Sequence, residues 1–401
     1  MFFNLDYVGP HGITDTYGGW FHVYSFAIMS GIFASIIGSW IKFRRYRVPT
    51  DSLTWSIVFI IPAALFGASF LGKDDPNNPM PFWSKFAFWH GGLSIHGGVL
   101  FGIIAGGVIF YIVGRRYKIS LWIYGDCIIP NILLGQILGR WGNFFNHELL
   151  GSAVSYDSLS WLPAFIRDNC FKLVDGIPEM LGGHIVYRAP MFLYESLGNL
   201  GLWVALTFMV PNLGKWFGKK PWKVEPDKYS FNFGQNFKYW TVTTFNPKYW
   251  SKKNRDANRL TWTKMWNDVY YYNKVPENVV TKALAEIPEL KTTGHWFNDY
   301  KQRIKHRSAV SKILYEINNP QHYRMMYAGV QIGLYLFGWN MIRFILELQR
   351  DPQDLFLINR QALDYTIILL VACLGLVIAV LAQFVIPKYL RSHGWTYEKE
   401  Y

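Results

Sequence analysis

Cysteine is scarce in this chain, which has three among its 401 residues: Cys127, Cys170 and Cys373. Two of them fall inside long apolar segments and one in a polar loop, so the sequence indicates no disulfide framework. Basic residues are lacking before the first apolar block, and that block is long and ends in a basic cluster. This pattern argues against a cleavable signal peptide. We find no internal repeat and no low-complexity tract.

Charge is almost absent from several blocks of about 18 to 24 residues, into which the apolar content of 51% is gathered. A helix of this length crosses roughly 30 Å of hydrocarbon. The blocks therefore predict an all-α polytopic membrane protein with about seven transmembrane helices, and they argue against a soluble protein. The predicted spans are about 20–41, 53–72, 97–114, 119–138, 189–211, 325–346 and 364–386.

Positive charge is concentrated in one stretch. The formal net charge is +13, and residues 212–324 alone carry 21 Lys and Arg against nine Asp and Glu. This stretch predicts a large basic insert between two membrane domains, 1–211 with spans one to five and 325–401 with spans six and seven. Two of its segments, ENVVTKALAEI and YKQRIKHRSAVSKILYEI, have helical periodicity, so we expect the insert to be partly folded.

Tryptophan and tyrosine alternate with lysine in the basic insert, a composition that is compatible with nucleic acid. We favour a domain that lies against anionic lipid headgroups, because basic and aromatic residues are both stable there. We therefore expect membrane lipids and no nucleic acid as its partners.

Basic clusters follow spans one, three and seven, and the insert follows span five. The positive-inside rule makes these segments cytoplasmic. It places the N-terminus outside and the C-terminus in the cytoplasm, which requires an odd number of spans. The polar segment at about 145–188 then forms a small extracellular head.

Ionisable side chains in or beside spans are costly and indicate function by default. In the predicted orientation, those at the starts of spans three and five and at the ends of spans four and six lie at one depth, near the outer leaflet headgroups. Arg343 and Glu347 are spaced i, i+4 and can pair on one helix face. Arginines at this depth suit a lipid phosphate, because guanidinium binds phosphate in a bidentate manner. The residues at this depth are His96, Arg140, Asn143, Glu148, Tyr194, Glu195, Arg343 and Glu347.

Each of these residues also has a simpler explanation when it is considered alone. Arg343 can extend to the interface as many arginines at span ends do, and His96 can be an interfacial or packed histidine. Asp126, within span four, is predicted to satisfy a partner inside the bundle. His90 and His96 lack the spacing of metal ligands, so we predict no metal site. The convergence of the group favours a functional site.

The segment GRWGNFFNHELLG resembles the signature of prolipoprotein diacylglyceryl transferases, G-R-x-G-N-F-x-N-x-E-x-x-G. The resemblance covers residues up to about 211 and from about 327 to 387. The segments GGLSIHGG, P-x-x-LYE and RFILELQRDP also resemble segments of that family. The residues that fall on these motifs, with Tyr24 of the first span, are His96, Asp126, Arg140, Asn143, Asn146, Glu148, Gly151, Tyr194, Glu195, Arg343, Glu347 and Arg350.

Three departures from the family pattern are visible. His147 stands where glycine is usual, and Arg360 precedes Gln361 where the family tends to have glycine. The third departure is the basic insert, which is much longer than the loop expected there. The first two place the local loop geometry in question, and the third leaves the insert without a family interpretation.

The resemblance implies transfer of the sn-1,2-diacylglyceryl group of phosphatidylglycerol to the lipobox cysteine of a prolipoprotein, at a bacterial cytoplasmic membrane. It implies His96, Arg140 and Arg343 as the catalytic residues and no cofactor. His96 is suited to a general base, and the arginines are suited to the developing phosphate charge. A role of His96 in positioning only, with Arg343 as the key residue, remains open. The expected substrate-binding residues are Tyr24, Asn143, Asn146, Glu148, Gly151, Tyr194, Glu195, Glu347 and Arg350.

Two other functions are compatible with a polytopic chain. A transporter or channel also has intramembrane charges, but it carries them near mid-bilayer and often has internal repeats. A membrane scaffold would act through the basic insert, and deletion of residues 212–324 would abolish its function.

Overall fold

The computed structural model describes residues 7–73, 81–86, 94–174, 176–229, 232–249, 262–270, 275–290, 294–350, 355 and 360–398. The side chains of residues 95, 96, 244, 249 and 262–264 are outside this description. The chain is predominantly helical. Its α-helices are α1 (Val23–Arg45), α2 (Thr50–Gly72), α3 (Ile95–Tyr117), α4 (Leu121–Ile128), α5 (Ile132–Phe145), α6 (Ala164–Arg167), α7 (Met191–Val204), α8 (Leu213–Phe217), α9 (Pro221–Val224), α10 (Phe233–Phe245), α11 (Trp262–Tyr270), α12 (Glu277–Leu284), α13 (Trp296–Asn318), α14 (Val330–Glu347), α15 (Gln361–Val380) and α16 (Ile386–Tyr389).

Long apolar helices make this a multi-pass membrane protein. Within the described ranges, six helical segments have the length and composition to cross a bilayer. The predicted spans agree with them to within a few residues at most ends. The six segments are Val23–Arg45, Thr50–Gly72, Gly97–Tyr117, Leu121–Phe145, Met191–Val224 and Gln361–Tyr389.

The segment predicted as span six forms α14, which is not among the six. It has 18 residues and carries Gln331, Asn340, Arg343 and Glu347. Three of these side chains, Gln331, Asn340 and Glu347, are buried inside the bundle. The helix is therefore too polar to count as a span by composition, although it packs along α15 and α7.

The membrane helices pack in pairs, α1 with α5, α2 with α3, α5 with α7 and α14 with α15. Small residues allow two of these pairs to approach closely. A Cβ on Gly31 of α1 would lie 2.8 Å from the carbonyl oxygen of Gly135, on α5. A Cβ on Gly375 of α15 would lie 2.6 Å from the backbone nitrogen of Phe337, on α14. The helices that carry the predicted site are thus held at short range.

The fourth predicted span is interrupted. A single 3-10 turn at Ile129–Asn131 separates α4 from α5, since Pro130 has no N–H for a regular helical bond. The Asn131 side chain donates to the Cys127 carbonyl over 2.8 Å and so satisfies one backbone acceptor at the break. The prediction that span four ends near Leu138 was wrong: α5 continues to Phe145, so Arg140 and Asn143 are helical residues.

Short hairpins accompany the helices. Among the described residues, three two-stranded antiparallel sheets pair β1 (Thr16–Tyr17) with β2 (Phe21–His22), β3 (Leu173–Val174) with β4 (Ile177–Pro178), and β5 (Met180–Leu181) with β6 (His184–Ile185). The last two lie in the predicted head segment. That segment has its own apolar core, in which Leu159, Leu162, Ile166 and Cys170 pack with Phe192 of α7. All three cysteines are free.

The insert is folded against one end of the bundle. Both segments that were predicted to be helical are helices, α12 and α13. Insert residues Trp266 and Tyr270, on α11, share an apolar core with Phe43 of α1 and Tyr124 of α4. The residues of α13 contact α16, where the Ser311 hydroxyl donates to the Pro387 carbonyl over 3.2 Å. The insert and the membrane domain therefore share one hydrophobic core at this end.

Candidate functional site

Glu195 joins two arginines that are more than two hundred residues apart in the sequence. It lies in the second turn of α7, and its side chain is 1% exposed. Arg140, on α5, donates from Nη2 to Glu195 Oε1 over 2.7 Å. Arg343, on α14, places its Nη1 3.9 Å from Glu195 Oε2. One buried carboxylate therefore holds both guanidinium groups in one place.

A second carboxylate, Glu347, extends this cluster along α14. Arg343 Nη2 donates to Glu347 Oε1 over 2.7 Å, which is the i, i+4 pairing that the sequence predicts. Arg350 Nη1 donates to the same oxygen over 3.3 Å. The five side chains alternate in charge, and we call them the arginine cluster: Arg140, Glu195, Arg343, Glu347 and Arg350.

Several polar atoms of the arginine cluster are buried without a hydrogen-bond partner among the described residues. The donors are Arg140 Nε and the Nε and Nη2 of Arg350, and the acceptors are the Oε2 atoms of Glu195 and Glu347. One residue past α5, Asn146 Nδ2 is a further buried donor of this kind. An unsatisfied buried group costs about 1–3 kcal/mol. The cluster is therefore suited to a polar ligand that supplies both acceptors and donors.

The signature segment places two more polar side chains beside the cluster. Asn143 Nδ2 donates to Glu148 Oε2 over 3.2 Å. Burial raises the pKa of Glu148 above its usual value, the hydrogen bond from Asn143 opposes this rise, and the negative charge of Asp15 adds to it. Tyr24 of α1 is close enough to interact electrostatically with Glu148 and Arg140. These contacts link the start of α1 to the end of α5.

Glycine at two signature positions allows close packing. A Cβ on Gly142 would lie 3.1 Å from Cδ2 of Tyr24, so the absence of a side chain lets α1 approach α5. A Cβ on Gly151 would lie 2.9 Å from Met191 Cγ and 3.2 Å from the Gln349 carbonyl oxygen. Gly151 thus lies where the signature segment meets the start of α7 and the end of α14.

The head segment is attached to the signature by a buried arginine. Arg188 pairs with Glu179 through two hydrogen bonds of 2.8 and 2.9 Å, and its Nη1 donates to the Gly151 carbonyl over 3.1 Å. Tyr194, next to Glu195, stacks on Trp161 of the head with ring centroids 6.3 Å apart. The head therefore covers the region beside the arginine cluster.

His147 occupies a backbone conformation that favours glycine. Its φ is +52°, which explains why glycine suits this position of the signature. The ring is buried, stacks on Phe171 at 4.5 Å, and places Nδ1 3.1 Å from the Asn169 carbonyl oxygen. Burial lowers the pKa of His147, and the two backbone hydrogen bonds partly oppose this. His147 thus belongs to the packing of the head and is not part of the arginine cluster.

His96 lies in the first turn of α3, which begins at Ile95. Its side chain is outside the described part, as are Gly91 and Gly92 of the same motif. The predicted role of His96 therefore stays a prediction from the sequence.

Asp126 does not join the arginine cluster. It is fully buried on α4, and its two carboxylate oxygens accept the backbone N–H groups of Gly329 over 2.9 Å and Ile332 over 3.1 Å. These groups belong to the N-terminal end of α14, where unpaired N–H groups attract negative charge. Asp126 caps α14 at the end opposite to Arg343.

Two acidic residues near the site were missed in the sequence. Asp15 accepts the Tyr24 N–H over 2.8 Å and so caps the start of α1; its position before a polar hairpin gave no helical signal. Asp364 is fully buried in the first turn of α15 and lies within electrostatic reach of Glu347. In the sequence it is the first residue of the seventh predicted span, although a carboxylate in an apolar block is itself a signal of function.

Comparison with known proteins matches residues 17–222, slightly more than half of the chain, to the family model described as prolipoprotein diacylglyceryl transferase. A phosphatidylglycerol–prolipoprotein diacylglyceryl transferase of Mycoplasmoides gallisepticum is 31% identical over 240 residues, which cover 50% of this chain and 63% of that protein. A Streptococcus pneumoniae protein with the same name is 34% identical over 185 residues, 44% of this chain and 62% of its own length. The chain thus spans somewhat less than two thirds of these curated relatives. By the extent of the family match, the chain belongs to the prolipoprotein diacylglyceryl transferase family.

Proposed function

We propose that this protein transfers the sn-1,2-diacylglyceryl group of phosphatidylglycerol to the lipobox cysteine thiol of a prolipoprotein and releases glycerol phosphate. The observation that carries the proposal is the contact of Arg140 and Arg343 with one buried carboxylate, Glu195. Family membership and the names of the relatives support the same reaction.

The unpaired polar atoms of the arginine cluster match the chemistry of the phosphatidylglycerol headgroup. A phosphodiester offers oxygen acceptors. The donors on Arg140 and Arg350 that have no partner among the described residues are guanidinium N–H groups, which bind phosphate well. The headgroup glycerol has hydroxyl donors, and the Oε2 atoms of Glu195 and Glu347 accept no hydrogen bond from the described residues. The cluster therefore has partners for both parts of an anionic glycerol headgroup.

The reaction forms one bond and breaks one bond. The thiolate sulfur bonds to the glyceryl carbon, the bond between that carbon and the phosphate oxygen breaks, and its electron pair leaves with glycerol phosphate. A thiol with a pKa of about 8.5 has to lose its proton first, and we assign this step to His96, from the sequence. The proton passes from the imidazole to the phosphate product or to water.

Arg140 and Arg343 stabilise the charge that develops on the leaving phosphate. Each well-placed donor of this kind contributes about 3–4 kcal/mol to the transition state. Glu195 and Glu347 hold these two guanidinium groups in position, and Arg350 donates to Glu347. Tyr24, Asn143, Asn146, Glu148, Gly151 and Tyr194 are proposed to line the lipid or peptide side of the same site. We expect no metal and no cofactor.

We further propose seven spans, with α14 as the sixth, the N-terminus outside and the C-terminus in the cytoplasm of a bacterial cell. The polar residues of α14 support its placement, because Arg343 and Glu347 satisfy each other inside the bundle. The basic insert, residues 212–324, then lies in the cytoplasm, and the head at 145–188 lies outside.

The test uses the purified full-length protein in detergent with phosphatidylglycerol and a lipobox peptide, and measures release of glycerol phosphate. We expect release by the wild-type protein and its loss in Arg140→Ala. Phosphatidylcholine in place of phosphatidylglycerol tests the headgroup. An absence of release where a characterised transferase is active under the same conditions would reject the proposal.

A further inference from the structure

A cavity of about 750 Å³ lies at the end of the bundle that faces the insert. It is bounded by the ends of three membrane helices and by the residues that lead into α14. Tyr315, on α13, covers it from the insert side. The apolar lining residues that matter for the argument are Val210, Leu213, Phe217, Val330, Leu334 and Phe384.

The apolar wall of this cavity continues into surface that faces the hydrocarbon. Phe217 is 72% exposed and Phe384 is 64% exposed. Both belong to segments that have the length and composition to cross a membrane, Met191–Val224 and Gln361–Tyr389. A chain of methylene groups can therefore enter the cavity from the bilayer without crossing a polar surface.

The rim of the cavity is basic. Arg324 and Lys388 both line it and are exposed. Arg324 forms no ion pair with the carboxylates of the described residues, and Lys388 lies 5.5 Å from the ring centroid of Tyr315. His322 also lines the rim, and its Nε2 lies 3.8 Å from Glu316 Oε2, so any positive charge on it is offset by that carboxylate. Two cations thus lie above an apolar groove, at the depth where a membrane helix ends.

This cavity is separate from the arginine cluster. Val330, at the start of α14, lines the cavity, and Arg343 lies 13 residues further along the same helix. At about 1.5 Å per residue the two positions are roughly 20 Å apart along the helix axis. That distance places them in opposite halves of a bilayer whose hydrocarbon core is about 30 Å thick.

We propose that the cavity binds one anionic phospholipid from the leaflet next to the insert, with its phosphate between Arg324 and Lys388 and an acyl chain against Leu334 and Phe384. The occupant is defined by charge complementarity, since a zwitterionic lipid gains less from two cations that form no ion pair with a carboxylate of the described residues. Because its walls come from α8, α14, the segment 383–388 and α13 of the insert, such a lipid connects the insert to the membrane domain. The proposal does not depend on the transferase reaction.

The experiment is native mass spectrometry of the full-length protein in a neutral detergent. The probes are dioleoylphosphatidylserine, dioleoylphosphatidylcholine and inorganic phosphate; phosphatidylserine is anionic and is not the proposed substrate. The test variant is Arg324→Ala/Lys388→Ala, and the matched control is Arg303→Ala/Lys305→Ala, which removes two exposed cations from α13. Leu334→Trp fills the groove and leaves the charges in place.

We expect the wild-type protein to retain one phosphatidylserine in preference to phosphatidylcholine. Each basic residue at an anionic surface contributes about a factor of five in affinity, so the rim variant should bind about 25-fold more weakly and the control should be unchanged. Leu334→Trp should also lose the lipid. Equal retention of both lipids, an equal loss in the control variant, or complete competition by inorganic phosphate would overturn the proposal.

Discussion

The two terminal nitrogens of Arg343 differ in their contacts. Nη2 donates a hydrogen bond to Glu347, whereas Nη1 makes no hydrogen bond to Glu195 and can bind a ligand. This difference makes Arg343 the most informative residue to change. Its Nη2 is 2.7 Å from Glu347 Oε1, whereas its Nη1 is 3.9 Å from Glu195 Oε2, beyond hydrogen-bond distance. At an effective dielectric constant of about 20, these separations correspond to attractions of about 6 and 4 kcal/mol before desolvation. Glu347 is therefore the stronger partner of Arg343, and the Nη1 atom of the Arg343 guanidinium is the donor that can reach a phosphate.

Two substitutions separate charge from geometry. Arg343→Ala removes both donors and should lower kcat/KM about 100- to 1,000-fold, the usual cost of a lost transition-state donor. Arg343→Lys keeps the charge but has a single ammonium group, which should pair with Glu347 and leave the phosphate side unoccupied. We expect its rate to stay within about tenfold of the rate of Arg343→Ala.

The assay is glycerol phosphate release at several phosphatidylglycerol concentrations, with thermal unfolding in the same detergent as a check on folding. Arg115→Ala is the matched control. Arg115 is exposed at the end of α3 that is far from His96, and its guanidinium lies over the ring of Tyr111. If Arg343→Lys restores the wild-type rate, charge alone is sufficient and the forked geometry has no role. If Arg343→Ala keeps full activity, the arginine cluster is not the phosphate site.

Three further predictions concern other parts of the molecule. His96→Ala should abolish transfer while the protein still inserts into the membrane. The glycerol phosphate release assay measures the transfer, and membrane fractionation measures the insertion. Normal release would exclude His96 as the base. Because the pKa of His147 is lowered in the folded state, the unfolded state binds the extra proton below about pH 6.5, so stability should fall as pH drops below that value. Between pH 7 and 5 the melting temperature of His147→Asn should fall less than that of the wild-type protein. An equal fall in both proteins would show that His147 is not the source of the pH dependence. Trp266→Ala should destabilise the protein by about 3–5 kcal/mol, as followed by thermal unfolding, whereas Trp240→Ala, on the exposed face of α10, should not.

Protonation of Asp168, in the same head segment, does not interfere with the His147 prediction. Asp168 in the same head accepts hydrogen bonds from His11, Tyr156 and Arg167, and these lower its pKa to about 2. Its contribution to stability is present above the unfolded pKa of about 3.8 and is lost only as pH falls below that value. Asp168 itself is therefore ionised in both the folded and the unfolded state between pH 5 and 7.

The sequence predicts the membrane helices well because length and absence of charge determine which segments can cross a bilayer. It misses the continuation of α5 to Phe145, since the polar signature residues resemble a loop. The polar residues Arg140 and Asn143 can lie in a helix because Glu195 and Glu148 accept hydrogen bonds from them inside the bundle. Tertiary partners of this kind are not visible in local composition.

The residue types of the candidate site were predictable, but the pairings between distant segments were not. Positive-inside orientation gives each polar residue a depth, and i, i+4 spacing gives the pairing of Arg343 with Glu347. Neither argument shows that Glu195 contacts both Arg140 and Arg343, since this depends on how α5, α7 and α14 are rotated about their axes. The family resemblance indicates which residues belong to the site, but it does not show which of them contact one another.

The position of the insert changes how the scaffold alternative can be tested. From the sequence, deletion of residues 212–324 separates a scaffold, which loses its function, from an enzyme whose membrane core remains active. The insert supplies Met265, Trp266 and Tyr270 to a core that also contains Phe43 and Tyr124. Its deletion would expose that apolar surface and destabilise the membrane domain, so a loss of activity would not favour a scaffold. Point substitutions on the exposed face of the insert are the better test.

Two fully buried aspartates provide the last prediction, because their surroundings differ. Asp126 accepts two backbone N–H groups at the start of α14, whereas both oxygens of Asp364 lack a hydrogen-bond partner in the part of the chain that the structure describes. Removing the charge of a satisfied carboxylate weakens charge-assisted bonds worth about 1.5–3 kcal/mol, so Asp126→Asn should lower the melting temperature. A buried carboxylate without partners is costly, so Asp364→Asn should raise it. If Asp364→Asn destabilises the protein as much as Asp126→Asn does, Asp364 has a stabilising partner and its burial carries no cost. If it stabilises the protein and lowers transfer, the carboxylate beside Glu347 is kept for function at the expense of stability.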